Sequence, residues 1–222
     1  MKKSEKKERL AQIIARLKEI YPDAECALQY DGDPWRLLVM GRLSAQCTDA
    51  RVNIVCRELF SEFPTVLAMA YGDLGRIEEL VKPCGLYRKK AENIKEASRI
   101  LVERHGGVLP DDMDTLLTLP GVGRKIANLL LGDIYKKPAV VTDTHCMRIC
   151  GRLGMYSESL RDPYKIEKIL LGLMDPAEGS DFCHRIVLFG RDLCSARAPR
   201  CGECPLSDLC EKRRRECADG KA

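Results

Sequence analysis

The chain has 222 residues, of which 45% are hydrophobic and 32% are charged, a composition typical of a soluble globular protein rather than a disordered or fibrous one. Its net charge of +4 comes from 37 basic and 33 acidic residues, so any nucleic-acid surface must arise from local clustering of charge. The basic N-terminus lacks the apolar stretch of a secretory signal, and no apolar run is long enough to predict a membrane span. The sequence therefore predicts a cytoplasmic protein.

Helical patterns follow one another along the first half of the chain. Apolar residues share one face of a first helix, which we expect Ser4 to cap and Pro22 to end. Asp33 and Thr48 are capping residues that predict the starts of a second and a third helix. Asp73 predicts a short fourth helix.

The second half of the chain continues this pattern. Only residues 139–141 have an extended pattern, and three residues are too few to found a sheet. The sequence therefore predicts an all-α fold. The further predicted helices begin at Tyr87, at Asp111 or Asp112, at Arg124, at Thr142 or Asp143, at Pro163, and at about Asp181.

Four of the twelve cysteines form the strongest single motif, with the spacing C-x6-C-x2-C-x5-C: Cys194, Cys201, Cys204 and Cys210. A reducing compartment disfavours disulfides, so metal ligation is the leading explanation for such a cluster. Thiolate ligands suit either zinc or an iron–sulfur cluster, and the spacing alone leaves that choice open.

A second motif is the run from Leu119 to Lys125, LPGVGRK. Glycines at alternate positions, Gly121 and Gly123, allow the backbone to approach a phosphate, and amides at the start of the next helix can bind its oxygens. Arg124 adds positive charge. This pattern is typical of a helix–hairpin–helix DNA-binding motif, although an ordinary tight turn between helices has a similar composition.

Lys125 and Asp143 are the candidate catalytic residues. A lysine at a helix N-terminus lies at the positive end of the helix dipole, which favours the free amine as a nucleophile. An amine that attacks a sugar carbon needs a carboxylate to stabilise positive charge on the sugar. Taken alone the two residues carry little information, because most such side chains are simply solvated.

Together these motifs resemble the endonuclease III family of helix–hairpin–helix DNA glycosylases. The resemblance includes the segments LSAQ at 43–46 and GLY at 85–87, and so covers nearly the whole chain. It implies a bifunctional DNA glycosylase and AP lyase of base excision repair. The implied partner is double-stranded DNA containing oxidised pyrimidines or abasic sites, the implied cofactor is a 4Fe-4S cluster, and the implied oligomeric state is a monomer.

The resemblance also implies individual roles. Lys125 takes the position of the nucleophile, which forms a Schiff base with the sugar before β-elimination nicks the strand, and Asp143 that of the essential carboxylate. Gln46 and Leu86 match residues that fill the gap left by the flipped nucleotide. The four cysteines match the cluster ligands, which favours iron–sulfur over zinc. The other implied DNA-binding residues are Gly121, Gly123, Arg124, Arg197 and Arg200.

The family architecture implies two helical domains with the active site in the cleft between them. A six-helix barrel that carries the helix–hairpin–helix motif would occupy residues 27–137. An iron–sulfur cluster domain would combine residues 1–26 with residues 138–222.

Arg42 departs from the family pattern, in which an apolar residue is usual at this place. Its spacing of four from Gln46 puts both residues on one helix face, which predicts that Arg42 influences lesion choice. The alternative is that Arg42 pairs with a carboxylate or a helix end.

Two other functions stay open at this point. A monofunctional mismatch or adenine-type glycosylase would share the cluster and the aspartate, but that group lacks the nucleophilic lysine. A non-catalytic helix–hairpin–helix DNA-binding module would explain the hairpin, but not Lys125, Asp143 and the four cysteines together.

Overall fold

The computed structural model describes residues 2–218, and its regular elements within this range are all helical. This confirms the all-α prediction. No helix in the described range is long and apolar enough to cross a membrane. The α-helices are α1 (Lys3–Ile20), α2 (Pro34–Leu43), α3 (Asp49–Glu62), α4 (Val66–Tyr71), α5 (Leu74–Val81), α6 (Tyr87–His105), α7 (Met113–Thr118), α8 (Arg124–Asp133), α9 (Thr144–Arg152), α10 (Pro163–Leu171), α11 (Gly179–Asp192) and α12 (Glu211–Ala218).

Capping side chains set the starts of many helices. The Asp33 carboxylate accepts hydrogen bonds from the first amides of α2, and the Thr48 hydroxyl accepts one from the first turn of α3. Asp73 and Asp112 do the same for α5 and α7. Each cap satisfies amides that have no partner inside the helix, so these starts are confirmed as predicted.

One local prediction was wrong, and two helices of the structure were not predicted. Ser4 lies inside α1 and is not its cap; Lys2 stands at the cap position, and its backbone amide donates to Glu5 Oε2 at 2.9 Å. Helix α4, capped by Thr65, was missed because six residues are too few to show a periodic pattern. Helix α12 was also missed, because its sequence has no apolar face.

The chain divides into two compact units. The first, here called the hairpin unit, is Cys26–Tyr135 and contains α2 to α8. The second, here called the cluster unit, combines Met1–Glu25 with Lys136–Ala222 and contains α1 and α9 to α12. The boundaries predicted for the domains lie within two residues of these limits.

Each unit has its own apolar core, whose burial supplies the main driving force for folding. In the hairpin unit the fully buried side chains include Leu37, Leu59, Ile77, Ile94, Leu101 and Leu130. In the cluster unit they include Leu10, Ile13, Leu17, Ile149, Ile166, Leu170 and Ile186.

Candidate active site and iron–sulfur site

A tight turn joins α7 to α8. The Val122 amide donates to the Leu119 carbonyl at 3.1 Å, which closes the turn. Gly121 has a φ of +80°, in the left-handed region that favours glycine. Gly123 stands at the cap position of α8 and offers no side chain to the first amides of that helix. The run from Leu119 to Lys125 therefore forms a hairpin between two helices.

Gly121 is also required by close packing. A methyl group at this position would lie 2.5 Å from Arg42 Nε and 2.5 Å from the Asn93 side-chain amide. Atoms at that distance overlap, so even an alanine would displace its neighbours. At Gly123, by contrast, a methyl group would meet no atom within 4 Å.

Arg42 lies beneath this hairpin. When the Asn93 amide is oriented so that its oxygen faces the guanidinium, that oxygen accepts from Arg42 Nε at 3.0 Å and from Nη2 at 3.1 Å. Burial lowers the pKa of Arg42. The partner is thus a side-chain amide, rather than the carboxylate or helix end weighed as the alternative. This contact favours a supporting role for Arg42, and its influence on lesion choice stays a prediction.

The two hairpin glycines give a matched pair of variants. Gly121→Ala combines a left-handed backbone with steric overlap, and we expect it to lower the free energy of unfolding by about 2 kcal/mol or more. Gly123→Ala should cost at most about 1 kcal/mol, because its φ of −99° is ordinary and the space is open. Thermal melts of the free protein check this difference.

The same pair separates folding from DNA binding. If the backbone at Gly123 approaches a phosphate, Gly123→Ala should weaken DNA binding much more than it lowers the melting temperature. Wild-type affinity of Gly123→Ala for duplex DNA would show that the phosphate does not approach this residue.

Lys125 is the second residue of α8, directly after the hairpin. Its side chain is exposed, so its amine is accessible to a bound strand. The other face of α8 carries the buried residues Ala127, Leu130 and Leu131. Their burial fixes this helix against the rest of the hairpin unit.

Asp143 stands at the start of α9 in the cluster unit. Its Oδ1 accepts a hydrogen bond from the Cys146 amide at 2.7 Å, so the side chain is the N-cap of this helix. The cap fixes the orientation of the carboxylate, and Oδ2 remains as a second acceptor. Lys125 and Asp143 thus belong to different compact units.

Gln46 and Leu86 are both exposed, and both have left-handed backbones. Their φ angles are 56° and 49°, which is uncommon for residues other than glycine. Leu86 is 62% exposed, although it is a large apolar side chain. Such backbone conformations persist where the surrounding structure holds them, and they often mark functional sites.

The four motif cysteines line one cavity in the cluster unit. The rest of its lining comes from α9, the end of α11, residues 199–200 and α12. It combines an apolar wall, which includes Ile149, Leu153, Phe189 and Leu193, with four basic residues: Arg152, Arg200, Lys212 and Arg213. Among residues 2–218, no three His, Cys, Asp or Glu side chains are placed to hold a single metal ion. Four thiols beside an apolar wall are a donor set that suits an iron–sulfur cluster.

Two arginines of α9 hold the segment that carries the four motif cysteines, residues 194–210, here called the cysteine-rich loop. Arg152 donates from Nη1 to Cys194 Sγ at 3.3 Å and to the Ser195 carbonyl at 2.7 Å. Arg148 donates to the Cys194 carbonyl at 3.0 Å. Hydrogen bonds from cations stabilise negative charge on ligand sulfur, so Arg152 fits a thiolate-ligated cluster. Sequence reasoning missed both arginines, because they lie more than forty residues before the loop that they contact.

The two arginines predicted to meet phosphates differ in the structure. Arg197 is exposed on the cysteine-rich loop. Arg200 donates to Asp192 Oδ1 at 2.8 Å and to Glu203 Oε2 at 3.1 Å. A phosphate would have to replace these carboxylates at Arg200, whereas the guanidinium of Arg197 is exposed.

We therefore expect Arg197→Ala to weaken duplex binding more than Arg200→Ala does. Loss of one phosphate contact should reduce the slope of log affinity against log salt by about one. The slope should change in Arg197→Ala, alike for damaged and undamaged DNA. A change confined to damaged DNA would show that Arg197 contacts the lesion instead.

Comparisons with known proteins agree with this fold. The model of the HhH-GPD superfamily of base excision DNA repair proteins matches residues 39–176, and that of the iron–sulfur binding domain of endonuclease III matches residues 194–210. The chain is 46% identical to endonuclease III of Synechocystis sp. over 210 residues, 94% of either chain.

Two solved structures have the same fold. A non-covalent endonuclease III–DNA complex matches with a TM-score of 0.89 at 36% identity, over 96% of this chain and 98% of that one. A trapped endonuclease III–DNA covalent intermediate matches with a TM-score of 0.88 at 36% identity, over 95% and 98%.

The helical fold, the hairpin before Lys125 and the superfamily match define a base excision DNA repair protein of the helix–hairpin–helix class. Within this class the chain belongs to the endonuclease III family. It is a DNA glycosylase with AP lyase activity, its partner is DNA, and its cofactor is a 4Fe-4S cluster. The predictions of family, activity and cofactor are thus confirmed.

Proposed function

We propose that this enzyme removes oxidised pyrimidines from duplex DNA, with Lys125 as the nucleophile and Asp143 as the carboxylate that assists it. The observation that carries the assignment is the exposed amine of Lys125, which follows the hairpin on the first turn of α8. The amine is therefore on the same short segment as the backbone proposed to bind a phosphate of the damaged strand.

The chemistry follows from these two groups. Once its amine has given up a proton, Lys125 attacks C1′ of the damaged nucleotide, the bond from C1′ to the base breaks, and the base departs with the bonding electrons. Asp143 stabilises the positive charge that develops on the sugar. The amine then gives up one proton and O4′ gains one as the bond between C1′ and O4′ breaks. This step opens the sugar ring and leaves the amine joined to C1′ as a protonated imine. Loss of a proton from C2′ then expels the 3′ phosphate by β-elimination, which nicks the strand.

We assign the cluster ligands to Cys194, Cys201, Cys204 and Cys210, whose side chains line one cavity. When bound, the cluster supplies cross-links that hold the cysteine-rich loop in a fixed conformation. The loop then presents Arg197 to a DNA phosphate, while Arg152 holds the inner side of the loop through the bond to Ser195.

We also propose that the two compact units correspond to the two domains of the family, residues 27–137 and the remainder, and that the protein acts in the cytoplasm. Support for the first proposal comes from the separate core of each unit.

A panel of duplexes, each with one lesion, tests the substrate assignment. Base release and strand cleavage are scored separately on an oxidised pyrimidine, on an adenine mismatch and on an abasic site. We expect release and cleavage on the oxidised pyrimidine and cleavage on the abasic site. Release of adenine without cleavage would instead indicate a monofunctional enzyme, and binding without either product would indicate a non-catalytic module.

A further inference from the structure

Lys90 is a fully buried lysine in the first turn of α6. Its amine donates to the carbonyls of Leu43 at 2.8 Å, Ala45 at 2.7 Å and Cys84 at 2.8 Å. Three such bonds use all three N–H groups of an ammonium ion, so the protonated form fits this site. Burial lowers the pKa of Lys90, and the three carbonyl dipoles offset the cost of burying its charge.

The three carbonyls belong to two separate segments of the hairpin unit. Leu43 ends α2, where carbonyls lack partners inside the helix and the dipole is negative. The Ala45 carbonyl belongs to the peptide bond that leads into Gln46. The Cys84 carbonyl lies two residues before Leu86, and Lys90 itself follows Leu86 by one helical turn, with its amide bonded to the Leu86 carbonyl at 3.1 Å.

A second contact joins the same two segments. The thiol of Cys84, next to Gly85, is close enough to that of Cys47, next to Gln46, that this neighbour adds to burial in raising the pKa of Cys84. Lys90 and this thiol pair thus hold the two loops together. In each loop one exposed residue, Gln46 or Leu86, has a left-handed backbone. The two loops are the ones that carry Gln46 and Leu86, the residues assigned to the gap left by a flipped nucleotide.

We propose that Lys90 is a positioning residue for the repair reaction, which braces the Gln46 loop against the Leu86 loop so that both side chains enter the duplex together. The proposal rests on the proposed activity and on the gap-filling role that the family resemblance implies for Gln46 and Leu86. A duplex must be opened before its base reaches the active site, whereas a single strand needs no such opening. Lys90 should therefore matter for duplex substrates and not for single strands.

The test compares base release from a duplex containing an oxidised pyrimidine with cleavage of a single-stranded abasic oligonucleotide. Lys90→Met keeps the length of the side chain and removes its three donors. We expect duplex activity to fall by about tenfold to a hundredfold, because small misplacements of positioning groups have effects of this size, while single-strand cleavage is unchanged. Rates are expressed per active molecule, counted by borohydride trapping on the single strand, so misfolded protein does not enter the ratio.

Lys95→Met is the matched control. Lys95 is on the same helix and also donates to a backbone carbonyl, that of Gly72, which is not part of either loop. Its substitution should leave the ratio of duplex to single-strand activity at the wild-type value. If Lys90→Met gives no folded protein, Lys90→Gln, which retains two N–H donors, is measured in the same way and should show a smaller loss of the same kind.

A double substitution, Gln46→Ala with Leu86→Ala, tests the gap-filling role of these two residues separately from the positioning role of Lys90. This protein should lose duplex activity selectively, and adding Lys90→Met to it should cause no further loss, because Lys90 acts through these residues. If the double variant keeps wild-type duplex activity, the assignment of Gln46 and Leu86 is wrong. If it loses duplex activity while Lys90→Met does not, or if Lys90→Met lowers both activities equally, the positioning role of Lys90 is overturned.

Discussion

Lys125→Gln is expected to abolish covalent trapping by borohydride on abasic DNA and to slow strand cleavage by about three orders of magnitude or more, because the nucleophile is lost. Binding should largely survive, since the substitution leaves the hairpin backbone and Arg197, the groups proposed to contact phosphates, unchanged. Trapping, cleavage and affinity are measured on the same abasic duplex.

Lys125→Arg is the matched variant for charge. Arginine keeps a permanent positive charge beside the strand, but its guanidinium is not a nucleophile at neutral pH. We expect Lys125→Arg to bind DNA with the salt dependence of the wild type and to form no trapped complex. Trapping of either variant at wild-type yield would show that a different amine performs the chemistry.

Asp143→Asn is expected to slow base release by about a hundredfold to a thousandfold, because it removes negative charge where the sugar becomes positive. Its melting temperature should stay close to that of the wild type. The Asp143 side chain caps α9 through the Cys146 amide, and asparagine is as good a cap as aspartate. Single-turnover base release and thermal melts measure the two effects.

Asp143→Ala separates the structural part of this residue from the chemical part. Alanine removes both the charge and the cap, so the protein should lose about 1 kcal/mol of stability in addition to its activity. In a chain of this size such a loss lowers the melting temperature by about 2–4 °C. If Asp143→Asn were as active as the wild type while Asp143→Ala were inactive, Asp143 would be a capping residue and not part of the chemistry.

Much of the fold was predictable because the signals that start helices are local. Asp33, Thr48, Asp73 and Asp112 each cap the helix that follows them within a few residues. The prediction for Ser4 was wrong because backbone and side-chain contacts at Lys2 begin α1 earlier. Short helices without periodicity, such as α4, become visible only when tertiary contacts are known.

The hairpin and the position of Lys125 at the start of α8 were predictable for the same reason, since they lie within one short run of sequence. Their supports were not, because they come from distant segments. Arg42 and Asn93 meet beneath Gly121 only after the hairpin unit has folded. Lys90 did leave a sequence signal, since it lies four residues before the buried Ile94 and so occupies the apolar face of α6.

The most direct test of the account identifies the residue that is bound to DNA. The wild-type enzyme is trapped with borohydride on an oligonucleotide that contains an abasic site, the complex is digested with protease and nuclease, and the modified peptide is sequenced by mass spectrometry. We predict that the reduced adduct is on Lys125, within the peptide that follows Gly123. An adduct on any other lysine, or on the N-terminal amine, would contradict the assignment of the nucleophile.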